Sequence, residues 1–259
     1  MDMQPFVSRV DNILRIDICA LESGSFHAGC KYAHGYLVCV LQGKLHIIAN
    51  GTDNVLIPGD LIFCAPEQSY VQYADIGTAP QLLQIHFQTA CEALAPLSGV
   101  KCSKSTVTEA LVQQLLAEYD SSDSCAKDMV YLLVNQLLIA MQRNCKDPAV
   151  ISKEGRILMR ALQYIGDHVR NRLSVPETAR AAGVSASYLT ALFQKHLGIS
   201  PGECIRRAKL QLSKELIREG ELTFTQIAAA LEYSTVHHFS RQFKEKFGVS
   251  PTQYANTAR

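Results

Sequence analysis

The 259-residue sequence predicts an α+β chain of two domains, with a β-barrel first and an all-helical domain last. Three observations carry this. A stretch near the C-terminal end occurs twice at an offset of 50 residues, placing Leu189 on Phe239, Phe193 on Phe243, Gly198 on Gly248 and Ser200-Pro201 on Ser250-Pro251. Short apolar segments separated by Gly, Pro and Asn turns fill the first ninety residues. The charge is also divided. Residues 1–150 hold 9 Lys+Arg against 15 Asp+Glu and residues 151–259 hold 16 against 9, so a net charge of +1 conceals −6 followed by +7. A basic domain behind an acidic one suits a phosphate-binding module attached to something else.

In residues 1–90, Tyr36 to Leu41 is a short apolar strand ending at Gln42-Gly43-Lys44. Leu45 to Ala49 follows, then Asn50-Gly51, a hairpin signal. Val55 to Ile57 leads into Pro58-Gly59-Asp60, and Leu61 to Pro66 and Gln81 to Gln88 are further strands. Strands this short and close suggest a small barrel or jelly roll. Residues 91–147 turn helical: Thr106 to Tyr119 and Ala126 to Cys145 are amphipathic, with Met129, Leu132, Leu133, Gln136, Leu137, Ala140 and Met141 at helical spacing. Asp147-Pro148 breaks the pattern and marks the joint to the last domain, 148–259, whose first helix runs from Lys153 to Arg170.

The repeat reads as two helix-turn-helix motifs, 174–196 and 223–247. Ser174-x-x-Glu177 and Thr223-x-x-Gln226 are capping boxes, in which a hydroxyl and the residue three on satisfy each other's orphan N–H groups. Small residues follow, then the turns Gly183-Val184 and Glu232-Tyr233, with Ser185 and Ser234 as N-caps. From Ala179 to Phe193 is 14 steps and from Ala228 to Phe243 is 15, so the second copy carries one extra residue ahead of its turn. Leu189, Leu192 and Phe193, and likewise Phe239, Phe243 and Phe247, form apolar stripes. Ser187, Thr190, Ala191 and Lys195 lie opposite in the first copy, and Val236, His237, His238, Arg241 and Lys244 in the second. Ser200-Pro201 and Ser250-Pro251 start new helices with Pro at the first helical position.

From about 153 to 254 the chain resembles the DNA-binding domain of the AraC/XylS family of bacterial transcription regulators. The resemblance rests on Ile227-Ala228, Phe239-Ser240-Arg241-x-Phe243-Lys244 and Phe247-Gly248-x-Ser250-Pro251. The Leu41-Gln42-Gly43 hairpin and the Pro58-Gly59-Asp60 turn resemble the cupin-like effector domain common in that family. The resemblance implies a cytoplasmic activator that binds double-stranded promoter DNA and works with RNA polymerase. It implies a homodimer formed through the 91–147 segment and a small-molecule effector in the barrel. A helix from Pro201 to about Arg218 is ~27 Å long at 1.5 Å per residue. With helix thickness at both ends, it separates two reading helices by roughly one DNA turn of ~34 Å. Arg241 then suits a guanine edge, His237 and His238 other base edges, and Val236 a thymine methyl. Ser187 and Thr190 are the shorter readers of the first motif, and Lys195, Arg206, Arg207, Lys209 and Lys244 suit phosphates. The family usually has Gly where Glu232 stands; a positive φ there would cost Glu on the order of 1 kcal/mol.

In an approximate alignment with sugar-binding relatives, the effector neighbourhoods hold Gln42, Gln72 and Gln84, three amides able to bond a neutral polar ligand. Some relatives cover that pocket with an N-terminal arm, here residues 1–10. His27, His34, His46 and His86 stand singly, without the H-x-H spacing of metal-binding cupins, so the expectation is no metal, no cofactor and no catalysis. Nine cysteines without a C-x-x-C, and no apolar leader, point to free thiols in the cytosol. No apolar run reaches the ~18 residues that span a bilayer. Two alternatives stay open: a DNA-binding regulator whose barrel mediates only protein contacts, and a cupin-type enzyme fused to a DNA-binding tail.

Overall fold

The apolar run at Tyr36 to Leu41 lacks polar alternation because both of its faces are covered. In the computed structural model, which describes residues 8–75, 77–144 and 153–257, this run lies in β3 (Gly35–Gln42). Tyr36, Val38 and Val40 enter one core and Leu37 and Cys39 another, as the period of two requires. β3 sits in the middle of an antiparallel sheet ordered β1 (Asn12–Ala20), β8 (Gln81–Gln88), β3, β6 (Leu61–Cys64), β9 (Lys101–Cys102). A second antiparallel sheet is ordered β2 (Phe26–Cys30), β7 (Tyr70–Tyr73), β4 (Leu45–Ala49), β5 (Thr52–Leu56). Asn50 and Gly51 join β4 to β5 as a two-residue hairpin, with φ 54 and 77, the left-handed pair that such a turn requires.

The closed barrel expected from the sequence is corrected to two open sheets. Side chains, not ladder hydrogen bonds, join them. Val38, Val40, Ile62 and Leu82 of the first sheet meet Leu45, Ile47, Leu56 and Tyr70 of the second. Each sheet keeps two edges: β1 and β9 in one, β2 and β5 in the other.

The outer faces are covered by helices. On the first sheet, Leu37, Phe63, Leu83, Ile85 and Phe87 pack against α1 (Thr106–Tyr119) and α2 (Ala126–Asn144) through Val112, Leu115, Leu133, Leu137 and Met141. Val10 joins this core; Ser8 Oγ lies 2.7 Å from the Tyr131 hydroxyl, and the Arg9 N–H donates to Asn135 Oδ1 at 2.7 Å. Residues 8–10 are thus pinned to α2, away from the space between the sheets, while residues 1–7 of the expected arm lie outside the described residues. So does the joint at Asp147-Pro148.

The second sheet carries the helical domain. Phe26, Ile48 and Val71 pack against Ile157, Leu158, Ala161 and Ile165 of α3 (Lys153–His168) and share their core with Leu189 and Phe193. Glu22, just after β1, reaches across to pair with Lys214 and Arg218. Among the described residues no helix is long and apolar enough to cross a membrane. No group of three or more His, Cys, Asp or Glu among them is arranged to hold a metal.

Asp60 anchors the Pro-Gly-Asp turn. Its Oδ2 accepts from the Ile57 N–H at 3.1 Å and from Lys101 Nζ at 2.7 Å, and its Oδ1 accepts from the Lys104 N–H at 3.1 Å. Burial pushes the carboxyl up, but the Lys101 ammonium and the two N–H groups outweigh it and hold it below the usual range. Asp60→Asn should therefore cost about 1–3 kcal/mol at neutral pH. Because the folded pKa is depressed, this stability is complete above the unfolded value near ~3.9 and is lost as pH falls through the lower folded value. Urea unfolding of both proteins should show a gap that closes in acid; a gap constant with pH would assign the loss to packing instead.

Candidate nucleic-acid interface

Local chemistry sets each motif. In the first, α4 (Val175–Ala182) is capped by Ser174, whose N–H donates to the Glu177 carboxylate at 3.0 Å while its hydroxyl accepts from the Glu177 N–H. In the second, α7 (Phe224–Ala230) repeats this with Thr223 and Gln226 at 2.8 Å. Gly183, at φ 75, then turns the chain into α5 (Ala186–Leu197), capped by Ser185. The second reading helix is α8 (Val236–Phe247), and its cap is Thr235, which accepts from the His238 N–H at 3.0 Å, and not Ser234 as expected. Thr235 is the residue that the 50-residue offset places on Ser185. Ser200 and Pro201 open the connecting helix α6 (Pro201–Glu219), and Ser250 and Pro251 open α9 (Pro251–Thr257).

Burial divides the reading helices as their spacing requires. Leu189, Leu192 and Phe193 enter one core; Phe239 and Phe243 enter another, with Leu212, Leu216, Ile227 and Tyr254. On the outside of α5, Ser187 and Thr190 are exposed, and the Thr190 hydroxyl donates to the Ala186 carbonyl at 2.8 Å. On α8, His237, His238, Arg241 and Lys244 are exposed, whereas Val236 is half-buried against the second core. His238 Nδ1 lies 3.2 Å from Ser234 Oγ, and its ring meets Tyr233 edge-on. Tyr188, which the sequence reading passed over, is 45% exposed on α5. The offset places it on His238 and places Ala191 on Arg241, so the first motif presents an aromatic ring and hydroxyls where the second presents imidazoles and a guanidinium.

The expected phosphate contacts divide. Lys195 is exposed and pairs at 2.7 Å with Glu154, which also takes His196 at 2.9 Å. Arg206 donates to Gln242 Oε1 at 3.0 Å and pairs with Glu203, which also takes Arg207 at 2.7 Å. Lys244 is exposed in the last turn of α8. Lys209 is different: it is buried, with its Nζ 2.5 Å from Glu232 Oε2. A buried ammonium already satisfied does not reach a phosphate, so Lys209 leaves the set. Lys246 joins Arg206, Arg207 and Gln242 around a cleft between α6 and α8; burial, then the neighbouring guanidiniums, push its ammonium down to about 8. Glu232 occupies its turn at φ 62, the positive angle that the family's usual Gly would favour.

The three glutamines do not converge. Gln72 is buried and its Oε1 accepts from the Tyr36 hydroxyl at 3.1 Å. Gln84 is half-buried opposite Val38, and Gln42 is exposed opposite Gln81. Val38 and Gln42 are four residues apart on β3, or ~13 Å at ~3.3 Å per residue. Two histidines read as solitary do come together: His34 Nε2 lies 2.9 Å from His86 Nδ1, beside the stacked Tyr36–Tyr70 pair. Burial, reinforced by His34, pushes the His86 imidazole below its ordinary value.

Residues 178–257 match a family model described as a helix-turn-helix domain. An uncharacterized HTH-type transcriptional regulator of Haemophilus influenzae is 27% identical over 217 residues, covering 82% of this chain and 66% of the relative. The probable transcriptional regulator LumQ of Photobacterium leiognathi is 35% identical over 91 residues, covering 35% and 37%. The matches thus span about two thirds of the first relative's length and well under half of the second's. Among solved structures, a probable AraC family transcriptional regulator from Rhodopseudomonas palustris is 25% identical, covering 40% of this chain and 97% of that one, with a TM-score of 0.37.

Because Phe193 and Phe243 belong to separate cores, Phe193→Leu and Phe243→Leu should each cost about 1–2 kcal/mol. Their effects should add to within ~0.5 kcal/mol in the double variant. Urea denaturation measures all three; strong non-additivity would mean that the cores are one.

Proposed function

We propose that this chain, whose residues 178–257 match a helix-turn-helix family model, is an AraC-type transcription regulator that binds promoter DNA by placing α5 and α8 in successive major grooves. The observation that carries this is the pair of capped helices with exposed outer faces, joined by the 19-residue α6. At 1.5 Å per residue α6 is ~28 Å long, suited with helix thickness to one DNA turn. Sequence discrimination rests mainly on α8, where the Arg241 fork suits guanine O6 and N7, with His237 and His238 beside it. Ser187, Thr190 and Tyr188 of α5 supply a weaker reading. Lys195, Arg206, Arg207, Lys244 and Lys246 hold phosphates, which fix register without specifying sequence. The carboxylates that pair with Lys195, Arg206 and Arg207 are the half-buried Glu154 and Glu203, and phosphates take their place on the same cations.

The N-terminal sandwich holds a small-molecule effector in this reading. Its support is a set of polar and aromatic side chains, Tyr36, Tyr70 and Gln72, inside an otherwise apolar core. A homodimer forms through the outer face of α1 and α2. There Val107, Met129 and Leu132 are 58, 42 and 48% exposed, while Leu133, Leu137 and Met141 of the same apolar pattern are turned into the sheet.

Selection of sites from a genomic DNA library at two salt concentrations, with wild type and Arg241→Ala side by side, tests the reading. Wild type should enrich one sequence class with a steep salt dependence. Arg241→Ala should lose about 1–3 kcal/mol on that class and relax its guanine position. Wild-type binding that is blind to sequence at both salts would contradict it.

A further inference from the structure

The two motifs are built on separate apolar cores that have α6 and Val169 in common. Their relative angle therefore depends on what else crosses between them. Glu232, in the turn between α7 and α8, stands at φ 62, a backbone conformation that suits glycine. Its carboxylate accepts from Lys209 Nζ at 2.5 Å, faces Arg172 Nε at 3.6 Å and lies beside the Leu173 backbone. The hydrogen bond from Lys209 leads the causes that hold it below the usual carboxylate range. Lys209 lies midway along α6 and is buried, and Arg172 and Leu173 lead directly into α4. One side chain thus gathers the start of the first motif, the connecting helix and the turn of the second. Glycine would relieve the backbone there but carry no carboxylate.

We propose that Glu232 is a positioning residue that fixes the angle between the two motifs, and with it the spacing of the two DNA half-sites that one chain accepts. This rests on the two-groove reading above. A residue serving only the fold of the second motif would affect one half-site and two alike. A tie between motifs acts on spacing.

The test uses the full chain and three duplexes: the selected site, the same site with the half read by α5 scrambled, and the site with one base pair inserted between the halves. Glu232→Gly, Glu232→Gln, Lys209→Met and the double variant Glu232→Gln/Lys209→Met are compared with wild type. Lys209→Met keeps a buried stem of similar shape, so the fold is retained; thermal unfolding verifies this for each variant. Wild type should lose roughly tenfold in affinity on the inserted site, within the usual range of coupling between linked sites. Each variant should lose about tenfold on the intact site, keep wild-type affinity on the scrambled one and respond less to the insertion. The double variant should be no worse than either of its single components, as members of one tie behave. Wild-type affinity and spacing dependence in Glu232→Gly, or an equal loss on intact and scrambled sites, would overturn the inference while leaving the two-groove reading in place. Wild type indifferent to scrambling would overturn both.

Discussion

Two ammonium groups buried in one helix constrain much of this molecule. α6 is covered along nearly its whole length, and Lys209 and Lys214 are 8 and 3% exposed. An unpaired buried charge costs several kcal/mol, so each needs a partner that the helix itself does not supply. For Lys209 the partner is Glu232, from a turn held at positive φ. For Lys214 it is Glu22 of the N-terminal sandwich, with the rings of Phe247 and Tyr254 at 4.6 and 4.9 Å. Burial, then Arg218, push the Lys214 ammonium down to about 8. One pairing ties α6 to the turn of the second motif; the other ties α6 to the N-terminal sandwich.

Apolar cores join the layers in order: helices α1 and α2, the β3 sheet, the β4 sheet, then the reading domain. The middle of each sheet is buried on both faces, so β6 is continuously apolar and β4 is apolar but for His46. The reading domain is seated on the second sheet by Phe26, Ile48 and Val71. A change between the sheets therefore lies one layer from α3 and from α5, whose Leu189 and Phe193 share that core, and Glu22 provides a polar contact along the same route.

Much of the helical domain was legible because its determinants are local. Capping boxes, Pro at the first helical position and Gly at the helix ends act within a turn or two of chain, and α1, α2, α6 and both motifs begin where the sequence places them. The cap at Thr235 was recoverable from the repeat, as was Tyr188. β1, β2 and β7 were not recognised, nor was β9, two residues long inside the segment expected to be helical. β1 interleaves apolar side chains with Arg15 and Asp17 at a sheet edge, β2 is five residues with a register shift, and β7 is four residues long. Whether a set of strands closes depends on pairing between distant edges, which no local signal encodes. Lys209 misled for a similar reason. A lysine on a helix is read as solvated unless its partner is known, and here the partner lies 23 residues away in a turn. The three glutamines came from an approximate alignment, and the β3–β8 register places Gln42 and Gln84 four residues apart along β3.

The central claim is that one chain lays two reading helices on one face of the duplex, a single helical turn apart. Hydroxyl-radical footprinting of the selected site with the full chain tests this most directly. The account predicts two protected tracts per bound chain on the same face, with centres ~10–10.5 base pairs apart. A single tract per chain, or two tracts on opposite faces, would contradict it.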